Sequence, residues 1–115
     1  MLLTVTKRFE FAYAHYLPDY PGDCARLHGH NAILEVEVAS RAKAYPTMVV
    51  DFKDLKTVVK EKVLSKLDHE YLNDILHYPT AESMAEWVWE QLEDDLELVR
   101  VRVYETSDSY AELKK

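Results

Sequence analysis

His28 and His30 stand two residues apart in CARLHGH, and on an extended strand that spacing projects both rings from one face, close enough to grip a single ion. A third ligand is available upstream. His15 closes FAYAH, and an antiparallel hairpin would bring that strand end beside the start of the next, next to His28 and His30. Three imidazoles without a fourth protein ligand describe a catalytic zinc that keeps one position open for water or substrate. His-x-His alone is a short pattern, and a lone histidine on a core-facing strand is more often a packing residue. Three on matching faces, in a chain with only five histidines, favour the metal. His77 has no such placement and is expected in a surface loop.

Further groups lie within reach of that centre. Cys24, four residues before His28, is open to four roles: fourth zinc ligand, nucleophile, proton carrier, or small buried side chain. Its place in a polar turn argues against packing, and a nearby cation would lower its pKa toward the working range. Asp68 and His69 end a helix in LDHEYL, where a simple helix stop and a charge against the helix dipole would explain them. Glu105 continues the apolar face of Val99, Val101 and Val103. A carboxylate aimed at a core needs a partner, such as the two adjacent N–H groups of a guanidine-like ring edge, unless the strand has already reached solvent there.

The elements that must position these groups follow from periodicity. Alternation from Leu3 to His15 places Phe9, Phe11, Tyr13 and His15 on one side of a strand, with Lys7 in register. Pro, Asp and Gly make Leu17 to Ala25 a loop. A second strand runs from His28 to Ser40 with His28, His30, Ala32, Leu34, Val36 and Val38 on one face. Phe52, Leu55, Val59, Val63 and Leu67 predict an amphipathic helix capped by Asp51, and Ala81, Met84, Ala85, Val88 and Leu92 predict a second one capped by Thr80. Leu98 to Glu105 reads as a third strand and Tyr110 to Leu113 as a short fourth. The order β-β-α-α-β-β predicts an α+β fold, an antiparallel four-stranded sheet with two helices on one face, and its open edges predict an oligomer.

Composition narrows the function. At 115 residues with 48% hydrophobic content, one domain over residues 1–115 is expected. A net charge of -7 without a basic stripe makes nucleic acid a poor partner. One cysteine excludes an internal disulfide, no apolar run approaches the ~20 residues of a membrane helix, and no signal-peptide layout opens the chain, which predicts a cytoplasmic protein.

Taken in order, FAYAH, CARLHGH, MVVDF before a helix, LDHEYLN, PTAES and the late YET resemble the 6-pyruvoyltetrahydropterin synthase and 6-carboxytetrahydropterin synthase superfamily across nearly the whole chain. The three-residue gap between Cys24 and His28 is similar to the carboxypterin branch. The resemblance implies the tunnelling fold, assembled as trimers that stack into a hexamer with active sites at subunit interfaces. It further implies conversion of 7,8-dihydroneopterin triphosphate to 6-carboxy-5,6,7,8-tetrahydropterin, with release of acetaldehyde and triphosphate, in queuosine biosynthesis. By the same resemblance His15, His28 and His30 hold Zn2+, Cys24 is the proton-transferring thiolate, Asp68 and His69 are its catalytic partners, and Glu105 with Thr106 binds the pterin. The alternatives are 6-pyruvoyltetrahydropterin synthase activity or dihydroneopterin side-chain cleavage on the same site, or a non-catalytic zinc- or pterin-binding protein.

Overall fold

A computed structural model of the protein describes residues 1–40 and 46–115. Strand β1 (Thr4–His15) and strand β2 (His28–Ala39) pair along their full length, Thr4 opposite Ala39 and His15 opposite His28. The helical run comprises α1 (Phe52–Val59), a π-helical stretch (Lys60–Leu64) and α2 (Ser65–Leu67), followed by β3 (Glu70–Tyr71), α3 (Ala81–Leu92), β4 (Glu97–Thr106) and β5 (Ser109–Lys114). Among the described residues the strands form one sheet in the order β3-β1-β2-β4-β5.

The expected antiparallel sheet of four strands is therefore one of five, and its extra member pairs parallel, Tyr13 with Glu70 and Ala14 with Tyr71. Two residues carry no periodicity, so nothing local announces this strand. Side chains secure it at both ends. Asp68 Oδ1 accepts the Ala12 N–H at 2.9 Å, and Asn73 accepts the Tyr16 N–H at 3.0 Å while donating to the Tyr16 carbonyl at 2.9 Å.

Asp51 and Thr80 cap their helices as expected, accepting from the backbone N–H groups of Lys53 and Ser83. Leu55, Val59, Val63 and Leu67 are fully buried at four-residue intervals. In an α-helix each such step overshoots a turn by about 40°. The π-helical stretch has more residues per turn and reverses that drift, keeping all four on the sheet. Phe52, expected in the same stripe, opens the helix and is 52% exposed. In β4 the pairing with β2 slips between Glu37 and Val38, which lie opposite Arg100 and Leu98. This bulge buries Leu98, where Val99 was expected, and leaves Val99 half-buried.

The face away from the helices carries a row of alternating charge, Arg8, Glu35, Arg102 and Glu112, directly opposite one another on four successive strands. Neighbours along it approach to 3.3, 3.7 and 2.5 Å. The hydrogen bond from Arg102 holds the Glu112 carboxyl below its ordinary pKa. Exposed pairs contribute little stability, but a slip by one residue would set these charges opposite core-facing positions such as Leu34, Val36, Val101 and Val103, so the row helps specify register.

Candidate metal centre

Period-two alternation sends His15, His28 and His30 to the helix-covered side, in phase with Phe11, Tyr13, Ala32 and Leu34, which are all buried. Ring centroids lie 4.5 Å apart for His15 and His28, 5.1 Å for His15 and His30, and 4.9 Å for His28 and His30. The sheet thus delivers three imidazoles to one point at the base of a hairpin.

Backbone carbonyls set two of the tautomers. His15 Nδ1 lies 2.7 Å from the Pro79 oxygen and His28 Nδ1 lies 2.6 Å from the Arg26 oxygen. A carbonyl only accepts, so each Nδ1 carries the hydrogen and each neutral ring is left with a lone pair on Nε2. Those Nε2 atoms face each other at 3.0 Å. Without a proton between them the lone pairs repel, and a cation would remove the conflict. Two nitrogens bound at ~2.0–2.1 Å to a tetrahedral zinc lie about 3.3 Å apart, close to the spacing already present.

Glu105 joins the group from β4. Its Oε1 is 2.8 Å from His30 Nε2 and 3.6 Å from His15 Nε2. The shorter contact lacks hydrogen-bond alignment, since His30 Nε2 is a buried nitrogen without a hydrogen-bond partner. The donor atoms of His15, His28, His30 and Glu105 all lie within 4.8 Å of one another. Imidazole nitrogens with a carboxylate suit zinc, and the unpartnered nitrogen and opposed lone pairs fit a bound cation.

Burial lowers the His15 pKa, assisted by His28 and His30 and opposed by the Pro79 carbonyl and Glu105. Burial likewise lowers that of His30, against the pull of Glu105. Both shifts favour the neutral form of His15 and His30, the form a metal ligand needs. The sign for stability follows directly. Below a pH of about 6.5 an unfolded chain protonates imidazoles that the native state keeps neutral, so metal-free stability should fall on acidification. Urea unfolding in chelator should show a constant midpoint from about pH 8 to 7 and a declining one toward pH 5; a flat profile would contradict neutral, buried imidazoles.

The other expected site residues are not gathered here. Cys24 sits half-buried in a 3-10 turn (Asp23–Ala25), outside the four-residue group. The loop reaches the centre through the Arg26 carbonyl, and the fourth donor atom within 4.8 Å belongs to Glu105. Asp68 Oδ1 lies 3.0 Å from His69 Nδ1, and His69, at φ 62, exposes 82% of its side chain. Both border a groove of about 550 Å³ with Glu10, Ala12, Asn31 and Ile33. Those strand residues alternate with the core positions, so this pair faces the side of the sheet opposite the histidines. Thr106 is exposed and donates to Asp108 at 3.0 Å. Glu105 also borders a cavity of about 440 Å³ between α3 and β5, lined in part by Ala81, Glu82, Ser109 and Tyr110. His77 is exposed, as expected.

Strand periodicity places Tyr13 with the core only. Its hydroxyl is buried without a hydrogen-bond partner, its ring lies 5.0 Å from His15 and 5.6 Å from His30, and burial followed by the Glu105 carboxylate raises its pKa. Its apolar-strand periodicity concealed this, and the signal was its position two residues before a ligand.

Fold and site together define a helix-backed sheet with a three-histidine centre at the base of its first hairpin. Residues 4–115 match the family described as 6-pyruvoyl tetrahydropterin synthase, and the chain belongs to that family. A 6-carboxy-5,6,7,8-tetrahydropterin synthase from Synechocystis sp. is 44% identical over 96 residues, covering 78% of this chain and 74% of its own. A dihydroneopterin monophosphate aldolase from Pyrococcus furiosus is 39% identical over 92 residues, covering 76% and 78%. The Caenorhabditis elegans 6-pyruvoyl tetrahydropterin synthase structure superimposes with a TM-score of 0.83 at 25% identity, over 100% of this chain and 96% of its own. The fold is accordingly the tunnelling fold.

Proposed function

We propose that the chain is a zinc-dependent lyase that converts 7,8-dihydroneopterin triphosphate to 6-carboxy-5,6,7,8-tetrahydropterin, releasing acetaldehyde and triphosphate, on the route to queuosine. The observation that carries the metal part is the pair of Nε2 lone pairs facing each other at 3.0 Å beside an unpartnered His30 Nε2. The similarity to the Synechocystis enzyme supports the reaction.

In this reading His15, His28 and His30 hold zinc, which supplies Lewis-acid polarisation of side-chain oxygens. Glu105 stands between the centre and the neighbouring cavity, so its carboxylate can pair with adjacent ring N–H groups of the pterin, with Thr106 beside it. Cys24 and His69 move protons on either side of the carbon being rearranged, and Asp68, fixed by the Ala12 N–H, orients His69.

The His69 pair and the histidine centre occupy opposite faces of one sheet, so a complete site needs a second copy of the chain. This supports a homo-oligomer, and we take the assembly to be the hexamer, a dimer of trimers, that the resemblance implies, with the whole chain acting as one domain. No helix among the described residues is long and apolar enough to cross a membrane, and we place the enzyme in the cytoplasm.

A second reading on the same site, aldol cleavage of the pterin side chain, is favoured by the Pyrococcus furiosus relative. Product analysis decides. Zinc-loaded protein given dihydroneopterin triphosphate should form carboxypterin and acetaldehyde. A product retaining all side-chain carbons would assign 6-pyruvoyltetrahydropterin synthase activity instead, and a shortened product lacking the carboxylate would assign the aldolase.

A further inference from the structure

Immediately after the ligand His15, the chain is gripped by one side chain. Asn73 Oδ1 accepts the Tyr16 N–H at 3.0 Å and Asn73 Nδ2 donates to the Tyr16 carbonyl at 2.9 Å, across 57 residues of sequence. An amide that meets both polar groups of one residue reproduces the pairing a neighbouring strand would provide. β3 stops at Tyr71, so on this edge Asn73 carries the grip on the chain one residue past His15, while the other edge of β1 stays paired with β2 as far as His15 opposite His28.

The same segment touches His15 a second time. Asn73 lies in the 3-10 turn Leu72–Asp74, whose Leu72 is fully buried, and the chain continues to the buried Pro79, whose carbonyl accepts the His15 Nδ1–H at 2.7 Å. The backbone of β1 and the ring of His15 are therefore both referenced to residues 72–79. Displacing that segment from β1 would move the ring and its tautomer-setting carbonyl together. Partners that orient a metal-ligating histidine typically contribute 10–100-fold to metal affinity.

We propose that Asn73 is a positioning residue for the metal centre: its two-point grip on Tyr16 holds His15 and the Pro79 carbonyl in register, setting zinc affinity without contacting zinc. This rests on the zinc reading of the centre.

The test is competition of Zn2+ against a chromogenic chelator, using the full chain well below its unfolding temperature. Asn73→Ala should weaken zinc binding by about 10-fold, the lower end of what a direct partner of a ligand contributes. Asn73→Asp retains the acceptor for the Tyr16 N–H but sets a second carboxylate oxygen against the Tyr16 carbonyl, so it should also weaken zinc binding; it serves if the alanine variant does not fold. Asp51→Ala, which removes the α1 cap far from the centre, is the control for general destabilisation and should leave zinc affinity within about threefold of the parent, since cap loss acts on helix stability. Cobalt substitution adds a signature of geometry, because a loosened His15 should change the visible d–d bands of Asn73→Ala and not those of Asp51→Ala. Zinc affinity equal to the parent in both Asn73 variants, or an equal loss in Asp51→Ala, would overturn the proposal. A parent protein that binds no zinc would instead overturn the zinc reading beneath it.

Discussion

Replacing His30 by alanine is expected to remove zinc and turnover together while leaving a folded metal-free protein. His15 and His28 each donate from Nδ1 to a backbone carbonyl, so their truncation also strands a carbonyl and mixes structural loss with metal loss. His30 Nε2 has no hydrogen-bond partner to strand. The metal-free variant should therefore lose no more than the ~0.5–3 kcal/mol of an ordinary substitution. Orienting partners alone contribute about 10–100-fold to metal affinity, so loss of a direct ligand should exceed ~100-fold. Zinc content after dialysis, with thermal unfolding in chelator, checks both halves. One zinc per chain retained by His30→Ala would place the metal elsewhere.

Cys24→Ala should have the opposite profile, with zinc content unchanged and turnover reduced by about 10²–10⁴, the usual contribution of a positioned proton-transfer group. The thiol lies outside the metal-binding group, and the contact its residue makes to Leu17 is through its carbonyl, which any residue keeps. The loop should then survive the substitution. Full turnover in Cys24→Ala would end the catalytic role proposed for the thiol. Loss of zinc would make the thiol a ligand.

Much of this architecture was legible because strands report their faces at short range. Phe9, Phe11, Tyr13 and His15 alternate cleanly, as do His28, His30, Ala32 and Leu34, and burial follows that alternation. Asp51 and Thr80 were readable as caps because their side chains satisfy N–H groups only two or three residues away. Failures came where pairing between distant segments decided. The bulge beside Glu37 exchanged Val99 for Leu98 on the buried side, an outcome set by β2 and invisible within β4. Strand β3 exists because Asp68 and Asn73 lock onto β1 from 56 and 57 residues away.

The amino-acid sequence by itself determined the order of elements apart from β3 and the face on which His15, His28 and His30 stand, since 3.6- and 2-residue periods are local consequences of backbone geometry. Only the tertiary structure decided that Glu105 meets His30, that Cys24 stays outside the four donors, and that Asp68 and His69 face away from the centre. Those outcomes depend on which strands become neighbours and in what register, and that choice is made by the burial of the whole core rather than by any one segment.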